Sequence, residues 1–116
     1  MAETGNRSSG EVAILLGEEE HFLSPTLRAA KAVNHRFGGF TDAYERLLAY
    51  DMAAIVAIVA AGLNLRDPGD IEKLEEKIFR NGLDPLIKPL RAYLAQLANG
   101  GRPAKTDGDA DPEKKA

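Results

Sequence analysis

Residues 50–64 read YDMAAIVAIVAAGLN, and between Asp51 and Asn64 no side chain carries a charge or a conventional hydrogen-bonding group. Such a run has to be taken up by something apolar. A helix that spans a bilayer needs about 20 consecutive apolar residues, so this run is too short to cross one. It reads instead as a buried helix of about three turns, capped at its start by Asp51 and closed by Gly62 in the left-handed conformation. A helix that is apolar around its whole circumference belongs at the centre of a fold, among neighbours that each bury a single stripe. Its alanines at 53, 54, 57, 60 and 61 let those neighbours come close.

The flanking sequence supplies four such neighbours. Ser24-Pro25 reads as an N-cap with proline at the first helical position, after which Leu27, Ala30, Val33 and Phe37 recur at helical spacing until Gly38-Gly39. Thr41 is placed to cap a second helix with Phe40, Tyr44, Leu47 and Leu48 inward and Asp42 near its positive end. Beyond the apolar helix, Asp67-Pro68-Gly69-Asp70 starts a fourth, with Ile71, Leu74, Ile78 and Phe79 as its stripe and Asn81-Gly82 as its stop. Asp84-Pro85 opens a fifth, with Leu86, Leu90, Tyr93, Leu94 and Leu97 inward; Pro89 removes a backbone donor from its first turns and predicts a kink or a late start there. Gly100-Gly101 ends it.

Ahead of the helices, Val12, Ile14 and Leu16 alternate as on one face of a strand, and a turn at residues 17–20 would return the chain through residues 21–24. A lone hairpin is marginal in water, so this one must lie on the helices. The expected fold is α+β and mostly α: an N-terminal β-hairpin packed on a compact bundle of about five short helices. Residues 10–101 form the single domain. Residues 1–9 and 102–116 are small, polar or charged, and are expected to be disordered.

The totals narrow the function. The chain has 116 residues, room for one hydrophobic core. Its net charge of −3 gives no electrostatic footprint for nucleic acid, and without cysteine it has neither a disulfide framework nor a thiolate site. MAETGNRSSG has no apolar signal-peptide core, which predicts synthesis and residence in the cytoplasm.

Nothing in the sequence carries catalysis. His21 and His35 fall in different elements, and no Ser-His-Asp or His-x-x-x-His arrangement exists. Glu18-Glu19-Glu20-His21 reads as a solvated turn rather than a metal site, since consecutive side chains in a turn do not converge on one ion. Asp107, Asp109 and Asp111 copy the start of a calcium loop, but Pro112 stands where that loop needs glycine. The expectation is a protein with no catalytic residues, no cofactor and no metal. Arg28, Lys31 and Arg36 make the first helix basic, which reads as a solvated face and leaves a small nucleic-acid-binding regulator as a distant alternative, one whose DNA affinity would fall steeply with salt.

The order of elements resembles a known family. The opening GEVAILL, then SPTLRAAKAVNHRFG, AAIVAIVAAGLN and NGLDPLIKPLRAYLAQLANGG, are similar to the phage tail assembly chaperones of gene transfer agents and related siphophage-like tail clusters, over about residues 10–101. The best marks are Ala60-Ala61-Gly62-Leu63, Gly82-Leu83, Pro89-Leu90, Tyr93-Leu94 and Gly100-Gly101, all packing and capping residues. The Glu18–Glu20 turn and the His35-Arg36-Phe37 helix end depart from the pattern.

The resemblance implies a non-enzymatic assembly factor in the cytoplasm of a bacterial host. Such chaperones coat the helical tape-measure protein, recruit tail-tube subunits around it and leave the finished particle; a minor structural role in the tail tube is the nearest alternative. Neither nucleic acid nor membrane is an expected partner. Leu86, Leu90, Tyr93, Leu94 and Leu97 on the last helix are the candidates for partner binding or self-association, because that helix ends beside the tail and is the easiest to uncover; the plainer reading of each is a core residue. In this family a longer product often arises by ribosomal slippage, and the terminal DPEKKA is a place where the codons for Glu113-Lys114-Lys115 would permit it.

Overall fold

In the computed structural model, which describes residues 10–103, the chain forms an antiparallel hairpin and then five helices. Strands β1 (Val12–Leu16) and β2 (Glu19–Leu23) pair with Val12 opposite Leu23 and Leu16 opposite Glu19. Helices α1 (Leu27–Phe37), α2 (Phe40–Leu48), α3 (Met52–Leu63), α4 (Pro68–Asn81) and α5 (Asp84–Ala98) follow. The fold is the expected α+β, mostly α arrangement. None of the described helices is long and apolar enough to cross a membrane. The expected disorder of residues 1–9 and the slippage site near residue 113 lie outside the described residues, as does nearly all of the expected disordered tail.

The apolar helix is buried on nearly every side. Along α3 only Ala53 is exposed, while Ile55, Ile58 and Val59 are fully enclosed. It packs on α1, α2, α4 and β2. Helix α5 lies instead against α2, α1 and β1, and reaches α3 through the tip of Tyr93. The core therefore has two linked centres, α3 and the inner side of α5, where the sequence pattern suggested one.

Their link explains two departures from the sequence reading. Gly62 does not end α3; it is helical and buried, and a Cβ there would stand 2.8 Å from Leu23 Cβ and 3.1 Å from the Tyr93 hydroxyl. Glycine is needed because three elements cross at that point. The left-handed closing residue is Asn64 at φ 59°, with Leu65 N–H donating to Ala60 O at 2.9 Å. Ser24 likewise does not cap α1. Its N–H donates to Gly62 O at 3.0 Å and its carbonyl accepts from Tyr93 Oη at 2.7 Å. Ser24 thus ties β2 to α3 and α5, and the cap passes to Thr26, whose hydroxyl accepts from Ala29 N–H at 3.1 Å.

Smaller corrections follow the same lines. Gly39, not Thr41, precedes the first residue of α2, which has no side-chain cap. The inward positions of α1 are Ala29, Val33 and Phe37, leaving Leu27 76% exposed; Phe79 on α4 is 69% exposed, and Leu48 on α2 also faces outward. The turn between the strands is only Gly17-Glu18, with Gly17 at φ 68°, the position at which a type II′ hairpin calls for glycine. Helix α5 runs from Asp84 through Pro89 to Ala98. Asp51 caps α3 as the sequence predicts, accepting from Ala54 N–H, and within the predicted start signal of α4 it is Asp67 that caps, accepting from Asp70 N–H.

Candidate functional site

The five residues expected to meet a partner, Leu86, Leu90, Tyr93, Leu94 and Leu97, are brought together on one side of α5 and are all in the core, at most 5% exposed. In this conformation the side of α5 that another molecule can reach is the opposite one. There Ile87, Lys88, Arg91, Ala92 and Ala95 face an open groove of about 760 Å³ whose other wall is Tyr44 and Tyr50. Gln96 and Pro103 close one end and Asp84 stands at the other.

The Tyr50 wall is built from the α2–α3 junction. The chain leaves α2 in a Schellman closure: Tyr50 N–H donates to Leu47 O at 3.0 Å and Asp51 N–H to Arg46 O at 3.1 Å. That closure needs a left-handed residue, and Tyr50 occupies it at φ 58°, where glycine is usual. An L-residue with a side chain pays on the order of 1 kcal/mol for this conformation. Asp51 is both the last residue of the closure and the cap of α3, so no slack remains to relax it. The ring is held at the groove by Tyr50 Oη donating to Asp84 Oδ1 at 2.5 Å, a bond between side chains 34 residues apart. Acceptance by Asp84 raises the Tyr50 phenol above its ordinary value, because a phenolate there would lose the bond and face the carboxylate; desolvation adds to this.

Chemically the groove has an apolar, small-residue floor, aromatic walls and two cations. Ala92 and Ala95 leave room for a helix to approach, and Arg91 stacks over the Tyr44 ring at 5.8 Å. Among the described residues neither Lys88 nor Arg91 has a carboxylate partner, since Asp84 is taken by Tyr50. At the closed end the buried Gln96 Nε2 donates to Gly10 O and to Gly101 O, pinning both ends of the domain to α5.

The other residues singled out in the sequence do not assemble into a site. His21 Nε2 and Lys77 Nζ both meet Glu19 Oε1, at 3.2 and 2.9 Å, which joins the hairpin to α4 at the surface. These two bonds, the Lys77 one first, hold the Glu19 carboxyl below the usual range. Among the described residues no three His, Cys, Asp or Glu side chains are placed to hold a metal ion. Arg28, Lys31 and Arg36 are exposed along α1; Arg28 reaches Asn64 Oδ1 at 3.4 Å, and Arg36 lies over the ring of Phe37. The groove itself was not legible beforehand, although a tyrosine just after a helix end and directly before a capping Asp was a local signal.

Compared with known proteins, the chain matches no family model, no curated protein and no solved structure.

Proposed function

We propose that this protein is a non-enzymatic assembly chaperone of the kind used by phage tails and gene transfer agents, which binds a helical tape-measure protein in the host cytoplasm and recruits tail-tube subunits to it. The observation that carries this reading is the α2–α5 groove. An amphipathic helix recognised in a groove needs an apolar strip of about its own width, small residues where backbones approach, and polar groups at the rim. Ile87, Ala92 and Ala95 supply the first two, and Tyr44, Tyr50, Lys88 and Arg91 supply the rim. The strained placing of Tyr50 supports a functional role, because stability alone would favour glycine there. The reading also rests on the resemblance of residues 10–101 to that family, and the hairpin-plus-five-helix order is the one expected from the sequence.

The test is to look beside this gene for a long tape-measure reading frame and, where one is found, to titrate helical fragments of its product calorimetrically. Binding is expected, and Ala92→Glu, which fills the groove floor without touching the core, is expected to weaken it at least ten-fold while far-UV circular dichroism stays native. Absence of binding to every fragment would overturn the chaperone reading. Binding that Ala92→Glu leaves intact would move the docking surface elsewhere.

A further inference from the structure

Among the described residues the two most exposed large apolar side chains are Leu27 on α1 and Phe79 on α4. A single exposed apolar residue is ordinary on a protein surface, but these two are set apart by their company. Leu27 shares its outward row with Lys31 and Asn34, four and seven residues further on, and α1 contains no acidic residue. Phe79 shares its row with Glu75 and Glu72, four and seven residues back, and all six side chains are exposed. Lys31, Glu72 and Glu75 enter no ion pair among the described residues, whereas Lys77 is turned to Glu19 and Arg80 to Glu76. We propose that the outer face of α1 docks on the outer face of α4 of a second copy of this chain, head to tail.

The two rows share one register. Laid antiparallel with Leu27 against Phe79, they bring Lys31 opposite Glu75 about 6 Å along and Asn34 opposite Glu72 about 10 Å along. One hydrogen of the Asn34 amide goes to Ala30 O, and the other is available to a carboxylate. Other pairings of the same surfaces are worse. Two α1 faces would set Lys31 against cations, two α4 faces would set Glu75 against Glu72, and like charges in contact cost affinity. Both helices pack on α3, with Ala29, Val33 and Phe37 of α1 and Leu74 and Ile78 of α4 turned inward. The two outer faces of one molecule therefore point away from its core and cannot meet each other. The contact joins different patches of two copies and leaves one of each unfilled, which lets further copies add. Two short helix faces bury less than the roughly 1,200 Å² of a standard interface, so the association is weak and reversible. None of these residues lines the α2–α5 groove, and the inference stands apart from the chaperone reading.

The test is analytical ultracentrifugation of the full-length protein over a concentration series that reaches the millimolar range, at low and at high salt. Average mass is expected to rise with concentration, and to rise less at high salt. Lys31→Glu and Glu75→Lys, both at exposed positions, are each expected to weaken association about three- to ten-fold, and Lys31→Glu/Glu75→Lys in one chain to restore it. Phe79→Ser should weaken it without any change of charge, and far-UV circular dichroism should stay native in all four variants. On concentrating the parent protein, amide signals of Leu27, Lys31, Glu75 and Phe79 are expected to shift. A protein that stays monomeric throughout, association indifferent to the single reversals, a loss that the double variant does not restore, or shifts confined to Ala92 and Ala95 in the groove would each overturn the proposal.

Discussion

The two sides of α5 are made from the same fifteen residues and do opposite work. The inner side is closed: Leu86, Leu90 and Tyr93 are fully buried, and the Tyr93 hydroxyl ends on a backbone carbonyl of Ser24. The outer side is open: Tyr50 across the groove is 48% exposed, and its hydroxyl ends on the Asp84 carboxylate. Each tyrosine is fixed by one hydrogen bond, but Tyr93 joins three elements inside the core, whereas Tyr50 holds a surface in shape. The difference separates a buried side from an accessible one along one helix, so substitutions on the two sides should fall into two classes.

The largest expected effect is on the inner side. Leu90→Ala removes a fully buried side chain and should cost about 2–5 kcal/mol in urea denaturation. Ala92→Glu, two residues away and exposed, should stay within about 0.5 kcal/mol of the parent. Equal losses from the two would show that Ala92 is packed as tightly as Leu90 and would break the comparison. Next comes the crossing itself: Gly62→Ala pushes a methyl against Leu23 and Tyr93 and should cost about 1–3 kcal/mol by overpacking, although alanine is the better helix former.

The tyrosines sharpen the contrast at smaller scale. Tyr93→Phe leaves the Ser24 carbonyl without its buried donor and should cost about 1–2 kcal/mol. Tyr50→Gly should do the reverse, raising stability by about 0.5 kcal/mol through relief of the left-handed strain while weakening helix binding. A Tyr50→Gly protein that is less stable and binds as before would assign Tyr50 to folding rather than to the groove.

The smallest effect is on titration. Both phenols are raised above their ordinary value of 10.0, Tyr93 by burial and Tyr50 chiefly by its bond to Asp84. Because the folded values lie above the unfolded one, their contributions to stability are complete below about pH 10 and are lost as pH rises through the folded values. Asp84→Asn should bring one phenol back toward 10.0 in an ultraviolet titration and leave the other raised. Two phenols moving together would mean that the two sides of α5 are electrostatically linked.

How legible this was depended on the kind of signal. The cap at Asp51, directly ahead of the apolar run, was read correctly, and the start signal at Asp67-Pro68 also held, whereas Asp84 in the matching Asp84-Pro85 signal lies inside α5 and accepts from Tyr50 instead of capping. Ser24 and Gly62 were misread for a common reason. Both carry a strong local signal, an N-cap before proline and a helix-closing glycine, and both are instead used where β2, α3 and α5 cross. The apolar stripe of α5 sits inward, as its spacing implied, and such a stripe marks what is buried and is silent about the side left outside.

By itself the sequence determined the elements and their order: the all-apolar run between Asp51 and Asn64 required burial, and four one-sided helices with a hairpin were available to provide it. Periodicity and capping are local properties, fixed by residues within one or two turns of each other. Only the tertiary structure decided that the core has two centres, that Ser24 joins three elements, and that Tyr44 and Tyr50 face Ala92 and Arg91 across a groove. Those features depend on residues tens of positions apart in the chain, and such distances are set by how the elements pack, which no local pattern records.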